Sequence, residues 1–154
     1  MKRSEVYRCG GVHLNVARAS HCKFLKKVAE TTHRQGWAVG DINTLTFLQT
    51  VDAWGFPLYP DETVILSETT DLYSELANFM EANGALLRQP EAWLGTWCHP
   101  KTSRIYLDIT TSLPDLDSAV AAAQTINSRS TRKIEAIYNS ALNETLFLTP
   151  LDTL

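Results

Sequence analysis

The chain has 154 residues, of which 44% are hydrophobic and 20% charged, and its formal net charge is −3 at pH 7. This composition is typical of an ordinary folded domain, and it excludes the disordered and fibrous classes of protein. No apolar run approaches the roughly 18 residues that a membrane span needs, so we expect no membrane insertion. The charged first residues lack the apolar segment of a signal peptide, which favours a cytoplasmic location.

The first third of the sequence predicts strand, helix, strand and helix in that order. Residues 7–16 show a weak strand pattern that two adjacent glycines interrupt. A first helix is predicted over 21–35, because apolar residues recur there at helical spacing and Gly36 follows as a typical end signal. Residues 37–42 predict a short strand or connector. A second helix is predicted over 43–54, where apolar residues again share one face.

A loop, a strand and a third helix are predicted next. Residues 56–62 contain two prolines within four residues, a pattern that predicts a loop. The segment "TVILSE" over 63–68 is rich in β-branched residues and predicts a strand. A third helix is predicted from Asp71 to about Asn83, and Gly84 is expected to stop it.

The C-terminal third predicts two hairpins separated by a fourth helix. The stretch "WLGTWCHPKTSRIYLDI" (93–109) alternates apolar and polar residues on both sides of a proline turn, as a β-hairpin does. Residues 113–129 predict a helix, since Pro114 and Asp115 suit its start and alanines line one face. A second hairpin is predicted over 133–148.

The order of these elements predicts that residues 1–154 form a single α+β domain. We expect a mixed or antiparallel sheet with about four helices packed mainly on one face. The sequence contains no segment of low complexity, and no linker that would divide it into two domains.

The hairpin over 93–109 presents two different faces. Successive strand residues point to opposite sides, so Cys98 is predicted to face the core and His99 the other side, which argues against a thiol–imidazole site. Tryptophan, tyrosine and arginine are enriched at binding hot spots, and they lie on the His99 side together with Asp108. Either a helix of the same domain covers these aromatic residues or they form an exposed patch. The residues that we expect there for partner binding are Trp93, Trp97, Arg104 and Tyr106.

Charge is distributed unevenly along the chain. Residues 1–36 contain eight Lys or Arg against two acids, whereas residues 37–99 contain nine acids against Arg88 alone. The two regions either compensate one another inside the domain, or the acidic region meets a basic partner. The acidic residues that we expect to contact such a partner are Asp61, Glu62, Glu68 and Asp71.

A basic helix face offers an alternative interaction with nucleic acid. Lysine and arginine side chains bind phosphates, and such binding weakens with salt. A sequence pI of about 5.8 argues against this interpretation, and a solvated lysine face is common on amphipathic helices. The residues concerned are Arg18, Lys23, Lys26, Lys27 and Arg34.

Catalytic and metal-binding patterns in the sequence are weak. Four histidines and three cysteines occur, but none shows the CxxC, HExxH or HxH spacing of zinc sites. Cys22 lies near a helix start, where a thiol pKa can be lowered, but His21 points about 100° away from it. Nucleotide-binding, hydrolase, kinase and deaminase signatures are missing from the sequence. We predict no metal, no cofactor and no identifiable catalytic residue; an unrecognised enzyme would use the region of Cys9 and His13, or that of Cys22.

The pattern W-x-G-x-W-C-H-P-K-T-S-R-I-Y-L-D-I continues into Pro114-Asp115, an alanine-rich helix and "KIEAIYN". Over residues 93–138 it resembles the C-terminal part of small uncharacterised proteins from actinobacterial phages and mobile elements. Cys98-His99 and Thr102-Ser103 depart from the Asp-containing turn and the Thr-Gly of that pattern. The family offers no established activity. The resemblance implies an accessory protein of a phage or prophage, expressed in a bacterial cytoplasm, that binds a host or defence component.

These observations favour a non-enzymatic protein-interaction module, which would bind a protein through the aromatic hairpin face or the charge-polarised N-terminal half. A specific form of this hypothesis is a phage accessory protein that inhibits a host or defence complex, with its acidic middle segment against a basic surface. The alternatives are an enzyme of unrecognised type and a nucleic-acid binder that uses the first helix. The sequence leaves the partner and the oligomeric state open.

Overall fold

The computed structural model describes residues 6–9, 12–15, 19–48 and 50–148, which form one α+β domain built on a curled antiparallel sheet. The helices are α1 (Ala19–Gln35), α2 (Leu72–Leu87) and α3 (Leu116–Ser128). The strands are β1 (Val6–Cys9), β2 (Val12–Asn15), β3 (Trp37–Asp41), β4 (Thr46–Phe47), β5 (Trp54–Pro57), β6 (Val64–Leu66), β7 (Trp93–Cys98), β8 (Ile105–Leu113), β9 (Ala136–Asn139) and β10 (Glu144–Phe147).

The main sheet contains eight strands in the order β10-β9-β5-β8-β7-β3-β4, and β6 also pairs with β8. Every pairing in it is antiparallel. Strand β8 is nine residues long, so one of its edges pairs with β6 near the start and with β5 near the end. Strands β1 and β2 form a separate antiparallel pair, which resolves the weak strand pattern over 7–16 into two strands.

Alternate residues of the central strands pack into the hydrophobic core. Leu94 of β7 and Leu107 and Ile109 of β8 are almost completely buried, in one cluster with α1 and α2. A second cluster joins α3 to Trp54 of β5 and Ile137 of β9. Burial alternates along the first half of β8, as the sequence predicts for a hairpin with one core face, whereas three consecutive residues of β7, Leu94, Gly95 and Thr96, are buried.

Two of the helix starts agree with their sequence signals. Asp71 caps α2 and Asp115 caps α3, each by accepting hydrogen bonds from a serine three residues later. The predicted stop of α2 at Gly84 is wrong, because the helix bends at Asn83 and continues to Leu87. A glycine inside a helix costs only about 1 kcal/mol, and the buried Leu87 side chain more than offsets that cost.

The helix predicted over 43–54 is not formed, so the described residues contain three α-helices rather than four. Phe47 instead packs against Phe24 of α1 with ring centroids 5.4 Å apart, and the Leu48 N–H donates to the Val39 carbonyl. Trp54 belongs to β5, whose end at Pro57 also extends into the predicted loop. Sheet pairing thus replaced the local helix preference of this segment. That the helices pack mainly on one face stays a prediction.

No helix in the described part of the chain is long and apolar enough to cross a membrane.

Candidate functional site

The sheet curls so strongly that strands far apart in its order come into contact. Four strand spacings separate β3 from β9, about 19 Å in a flat sheet. The rings of Trp37 on β3 and Tyr138 on β9 nevertheless lie with their centroids 6.3 Å apart. The Tyr106 hydroxyl also donates to Glu135 at 2.7 Å, just before β9. The β9–β10 hairpin therefore covers the sheet face opposite the packed core of β7 and β8.

A cavity of about 130 Å³ lies between this hairpin and the sheet. A cavity of about 150 Å³ holds one benzene molecule, so the space suits a single ring or a compact side-chain end group. Its aromatic lining consists of Trp37, Phe56, Trp93, Trp97, Tyr106 and Tyr138; its polar lining includes Thr63, Asp108, Thr110, Arg132 and Glu135. We refer to it as the aromatic cavity.

Strand register explains how these side chains converge. Trp37, Trp97 and Tyr106 are direct partners across β3, β7 and β8, so their rings form one row on the same face. In the next row Gly95 lies opposite Asp108, so β7 places no side chain directly across from this carboxyl group. A Cβ atom at Gly95 would come within 2.7 Å of the Thr110 methyl carbon, so this position also requires a glycine for packing.

Asp108 is the principal ionisable group of the aromatic cavity. Burial raises the pKa of Asp108 to about 6, although the hydrogen bond from the Thr63 hydroxyl and the charge of Arg132 act in the opposite direction. Burial also raises the pKa of Tyr106, and its hydrogen bond to Glu135 adds to this effect. Tyr106 is therefore a neutral hydrogen-bond donor, whereas Asp108 changes charge near pH 6.

Cys98 and His99 lie on opposite faces, as strand alternation predicts. The Cys98 thiol is 3.8 Å from the Ser103 carbonyl oxygen, and burial, with a further contribution from Glu68, raises its pKa. His99 lies beside Trp97 and Tyr106, and its Nδ1 accepts hydrogen bonds from the backbone N–H groups of Lys101 and Thr102. The imidazole is therefore hydrogen-bonded to the backbone of the hairpin turn and does not face the thiol.

The predicted hairpin residues divide into two groups. Trp93, Trp97 and Tyr106 are partly buried and line the aromatic cavity, whereas Arg104 is exposed and does not line it. The sequence left open whether a helix of the domain covers the aromatic residues or leaves them exposed. In the structure a hairpin, rather than a helix, covers them in part.

All four predicted acidic residues are exposed, but only two lie near the cavity. Asp61 accepts hydrogen bonds from the backbone N–H groups of Thr131 and Arg132, and it thereby fixes the segment that leads into β9. Glu62 lies between the lining residues Pro60 and Thr63. The other two, Glu68 and Asp71, precede and cap α2 and do not line the cavity.

The basic residues of the nucleic-acid alternative lie on α1, outside the lining of the aromatic cavity. Lys23, Lys26, Lys27 and Arg34 are exposed there, and the Lys26 ammonium lies 5.5 Å from the centre of the Tyr73 ring. Arg18 lies outside the described residues. Nucleic-acid binding by this face stays a prediction.

Of the residues named for an unrecognised enzyme, the structure describes the side chain of Cys22 only. The side chains of Cys9 and His13 lie outside the described residues, and Cys22 packs against the core. Within the described part of the chain, no three His, Cys, Asp or Glu side chains are grouped as metal ligands would be.

Sequence reasoning missed Trp37, Tyr138 and Thr63 as members of the site. Period-2 alternation places Trp37 and Tyr138 on defined faces of their own strands, which is a usable signal. It does not show that those two faces meet, because Trp37 and Tyr138 are about a hundred positions apart in the chain.

Comparisons with protein-family models, curated proteins and solved structures found no match to this chain. The resemblance of residues 93–138 to small phage proteins therefore stays a prediction.

Proposed function

We propose that this protein is a non-enzymatic interaction module whose aromatic cavity receives a side chain presented by a partner protein. The observation that carries the proposal is the convergence of three tryptophans and two tyrosines on one cavity beside an acidic group. Val51 is 54% exposed and belongs to the same lining, so the cavity opens to solvent at that point.

The size of the cavity favours a side chain over a larger ligand. At about 130 Å³ it accommodates one compact group, and a nucleotide or a folded peptide segment would exceed it. Protein interfaces commonly concentrate their binding energy where an anchor residue of one partner fills an aromatic pocket of the other. A partner that inserts one side chain would use the cavity in this manner.

The polar groups of the cavity suit recognition. The Arg132 guanidinium donates to the Thr63 carbonyl, and the Thr63 hydroxyl donates to Asp108, so the carboxyl group is held in one orientation. A few fixed polar groups in an apolar pocket orient a ligand and provide specificity. In the phage context that the resemblance implies, the partner would be a component of the host or of its defence.

A matched pair of tryptophan substitutions tests this proposal. Val51→Trp would fill the mouth of the cavity, whereas Leu142→Trp would place the same residue at a similarly exposed position, 51% exposed, that does not line it. Wild type and both variants would be immobilised and used to capture proteins from a bacterial lysate at low and high salt, with quantification by mass spectrometry.

We expect the wild type and Leu142→Trp to retain the same protein, and Val51→Trp to lose it by at least about tenfold, or about 1.4 kcal/mol. Equal retention by all three forms would contradict binding through the cavity. Recovery of nucleic acid alone would favour the basic face of α1 instead.

A further inference from the structure

The rings of the aromatic cavity are inclined to one another and do not form a flat platform. Trp97 and Tyr106 have ring centroids 5.3 Å apart and planes at 66°. Trp37 and Tyr138 close the other side, with their planes at 55°. Both ring pairs line the cavity, so a compact group inside it would contact rings of several orientations. A stacking site for a flat ring would need parallel faces instead.

The carboxyl group of Asp108 has unused capacity. Among the described residues, the Thr63 hydroxyl is its only hydrogen-bond donor, and it uses Oδ1. No Lys or Arg of the described chain forms an ion pair with it; Arg132 donates to the Thr63 carbonyl instead. The second carboxylate oxygen is therefore open to a donor brought by a ligand. Burial disfavours the charged carboxylate and the charge of Arg132 offsets this only in part, so a cationic ligand would relieve the remaining cost.

We propose that the aromatic cavity binds an N-methylated ammonium group, presented by a lysine side chain of the partner protein. This inference rests on the proposed function and specifies the chemistry of the anchor. Faces of tryptophan and tyrosine attract cations, and cages of such rings recognise methylated ammonium groups. A methylated ammonium also matches a cavity that takes one benzene-sized group.

The composition of the cavity favours a methylated over an unmodified lysine. An unmodified ammonium carries three N–H donors and is strongly hydrated, so it needs several acceptors when it leaves water. The cavity offers one open oxygen each on Asp108 and Glu135 and a few hydroxyl groups, beside a lining of ring faces and apolar side chains. Methyl groups contact ring faces and remove donors that would otherwise stay unsatisfied.

The remaining charges around the cavity are compatible with a cation. The Lys133 ammonium donates to the carbonyls of Asn127 and Ser130 at the end of α3, so it is held by that helix end. Arg132 is held by Thr63, and His99 accepts from the hairpin backbone through Nδ1. Glu62, exposed between two lining residues, adds a negative charge near the rim. An incoming cation therefore meets the carboxylates of Asp108, Glu135 and Glu62 against the guanidinium of Arg132 and the ammonium of Lys133, which is directed to the end of α3.

The test uses N-acetyl-lysine amides with zero, one, two or three methyl groups on Nε, free choline, and the neutral tert-butyl analogue of the trimethyl compound. Binding would be followed at pH 7.5 by the indole N–H signals of the four tryptophans in two-dimensional NMR spectra. Trp37, Trp93 and Trp97 line the cavity, whereas Trp54 lies in the α3 cluster and serves as an internal control.

We expect methylated lysines to shift the three cavity signals but not that of Trp54, and to bind at least about tenfold more tightly than unmodified lysine or the neutral analogue. Asp108→Asn should weaken this binding by about tenfold or more, whereas Asp117→Asn, on an exposed turn of α3 away from the cavity, should leave it unchanged. Val51→Trp should abolish it, which provides a second blocking variant that leaves Asp108 unchanged.

If the neutral analogue binds as tightly as trimethyl-lysine, the ligand need not be a cation and the proposal is wrong. If unmodified lysine binds as tightly as the methylated forms, the cavity does not select for methylation and the proposal is again wrong. If choline binds and methyl-lysine does not, the methylated ammonium group is not presented by a lysine side chain of a protein. These outcomes are separate from failure of the proposed function. The wild type could capture a protein that Val51→Trp loses, while no ammonium probe shifts any signal. That result would support the proposed interaction module and would refute the methylated ammonium as its ligand.

Discussion

The rings of Trp37 and Tyr138, 6.3 Å apart between centroids, join the two strands β3 and β9 across the open side of the sheet. The two residues share no backbone pairing, so this contact depends on the curl of the whole sheet. It closes one side of the aromatic cavity, and the cavity that results is the feature on which both proposals rest.

A double-mutant cycle measures this contact. Trp37→Leu and Tyr138→Leu each remove one ring, and an aromatic pair typically contributes about 0.5–1.5 kcal/mol beyond its buried area. We expect a coupling energy of that size in the free energy of unfolding, measured by urea titration of the two single variants and the double variant. A cycle on Trp37 and the exposed Leu146 of β10 is the control, with expected coupling near zero. If the two substitutions change the free energy of unfolding in a strictly additive way, the rings of Trp37 and Tyr138 do not contact each other and the sheet is not closed at that point.

Gly95→Ala should destabilise the fold. Its Cβ would lie 2.7 Å from the Thr110 methyl carbon and 3.0 Å from Thr110 Cβ, so a strand residue must shift. Overpacking of this kind costs about 1–3 kcal/mol. The control is Gly84→Ala in α2, where the nearest atom is 3.9 Å away at the flexible end of Arg88 and where alanine favours a helix. Thermal unfolding should give a lower Tm for Gly95→Ala and an equal or higher Tm for Gly84→Ala.

The stability contribution of Asp108 should depend on pH in a defined direction. Burial raises the pKa of Asp108 to about 6 from 3.8, so the folded protein holds this proton more tightly than the unfolded chain does. This group therefore disfavours folding progressively as pH rises from about 4 through 6, and the penalty is complete above that range. Asp108→Asn keeps the shape and an acceptor for Thr63 but removes the charge.

We expect Asp108→Asn to raise Tm at pH 7.5 and to leave it nearly unchanged at pH 4. The difference in Tm from the wild type, measured across pH 4–8, isolates this group from the other carboxylates. A decrease in Tm at pH 7.5 would have the opposite sign and would show that the fold stabilises Asp108 as a carboxylate.

Asp61 should control the order of the segment that leads into β9. Its carboxylate accepts from the backbone N–H groups of Arg132 and Thr131, and the bond from Arg132 is the main reason that its pKa is lowered. Because the folded-state pKa is lowered, these bonds persist at neutral pH and are lost as pH falls through that pKa. Asp61→Ala should speed hydrogen exchange at both amides, whereas Glu62→Ala, at the exposed neighbour, should not. Unchanged exchange in Asp61→Ala would show that other contacts hold the segment.

Local signals in the sequence predicted several parts of the fold correctly. The hairpin over 93–109, the helix starts at Asp71 and near Asp115 and the terminal hairpin were all predicted, since each depends on residues within a few positions of one another. The helix predicted over 43–54 failed because its apolar residues found partners in α1 and the sheet. Helical spacing alone does not exclude such a competing arrangement.

The candidate site was predictable only in part. Alternation placed Trp93, Trp97 and Tyr106 on one face together with Asp108, and the structure brings all four to the cavity. Arg104 shares the predicted face but lies outside the cavity lining, because it stands before β8 at the turn. Among the acidic residues, Asp61 binds a backbone segment 70 positions away, which composition could not indicate.

By itself the sequence determined which side chains share a face of each strand, because the period of a strand is fixed by its covalent geometry. Only the tertiary structure decided that the faces bearing Trp37 and Tyr138 meet. Strand order and curl depend on pairings between remote segments, and their energies are summed over the whole sheet and its packed helices. The cavity and the isolated carboxyl group of Asp108 within it therefore arise from the fold and are encoded in no single segment.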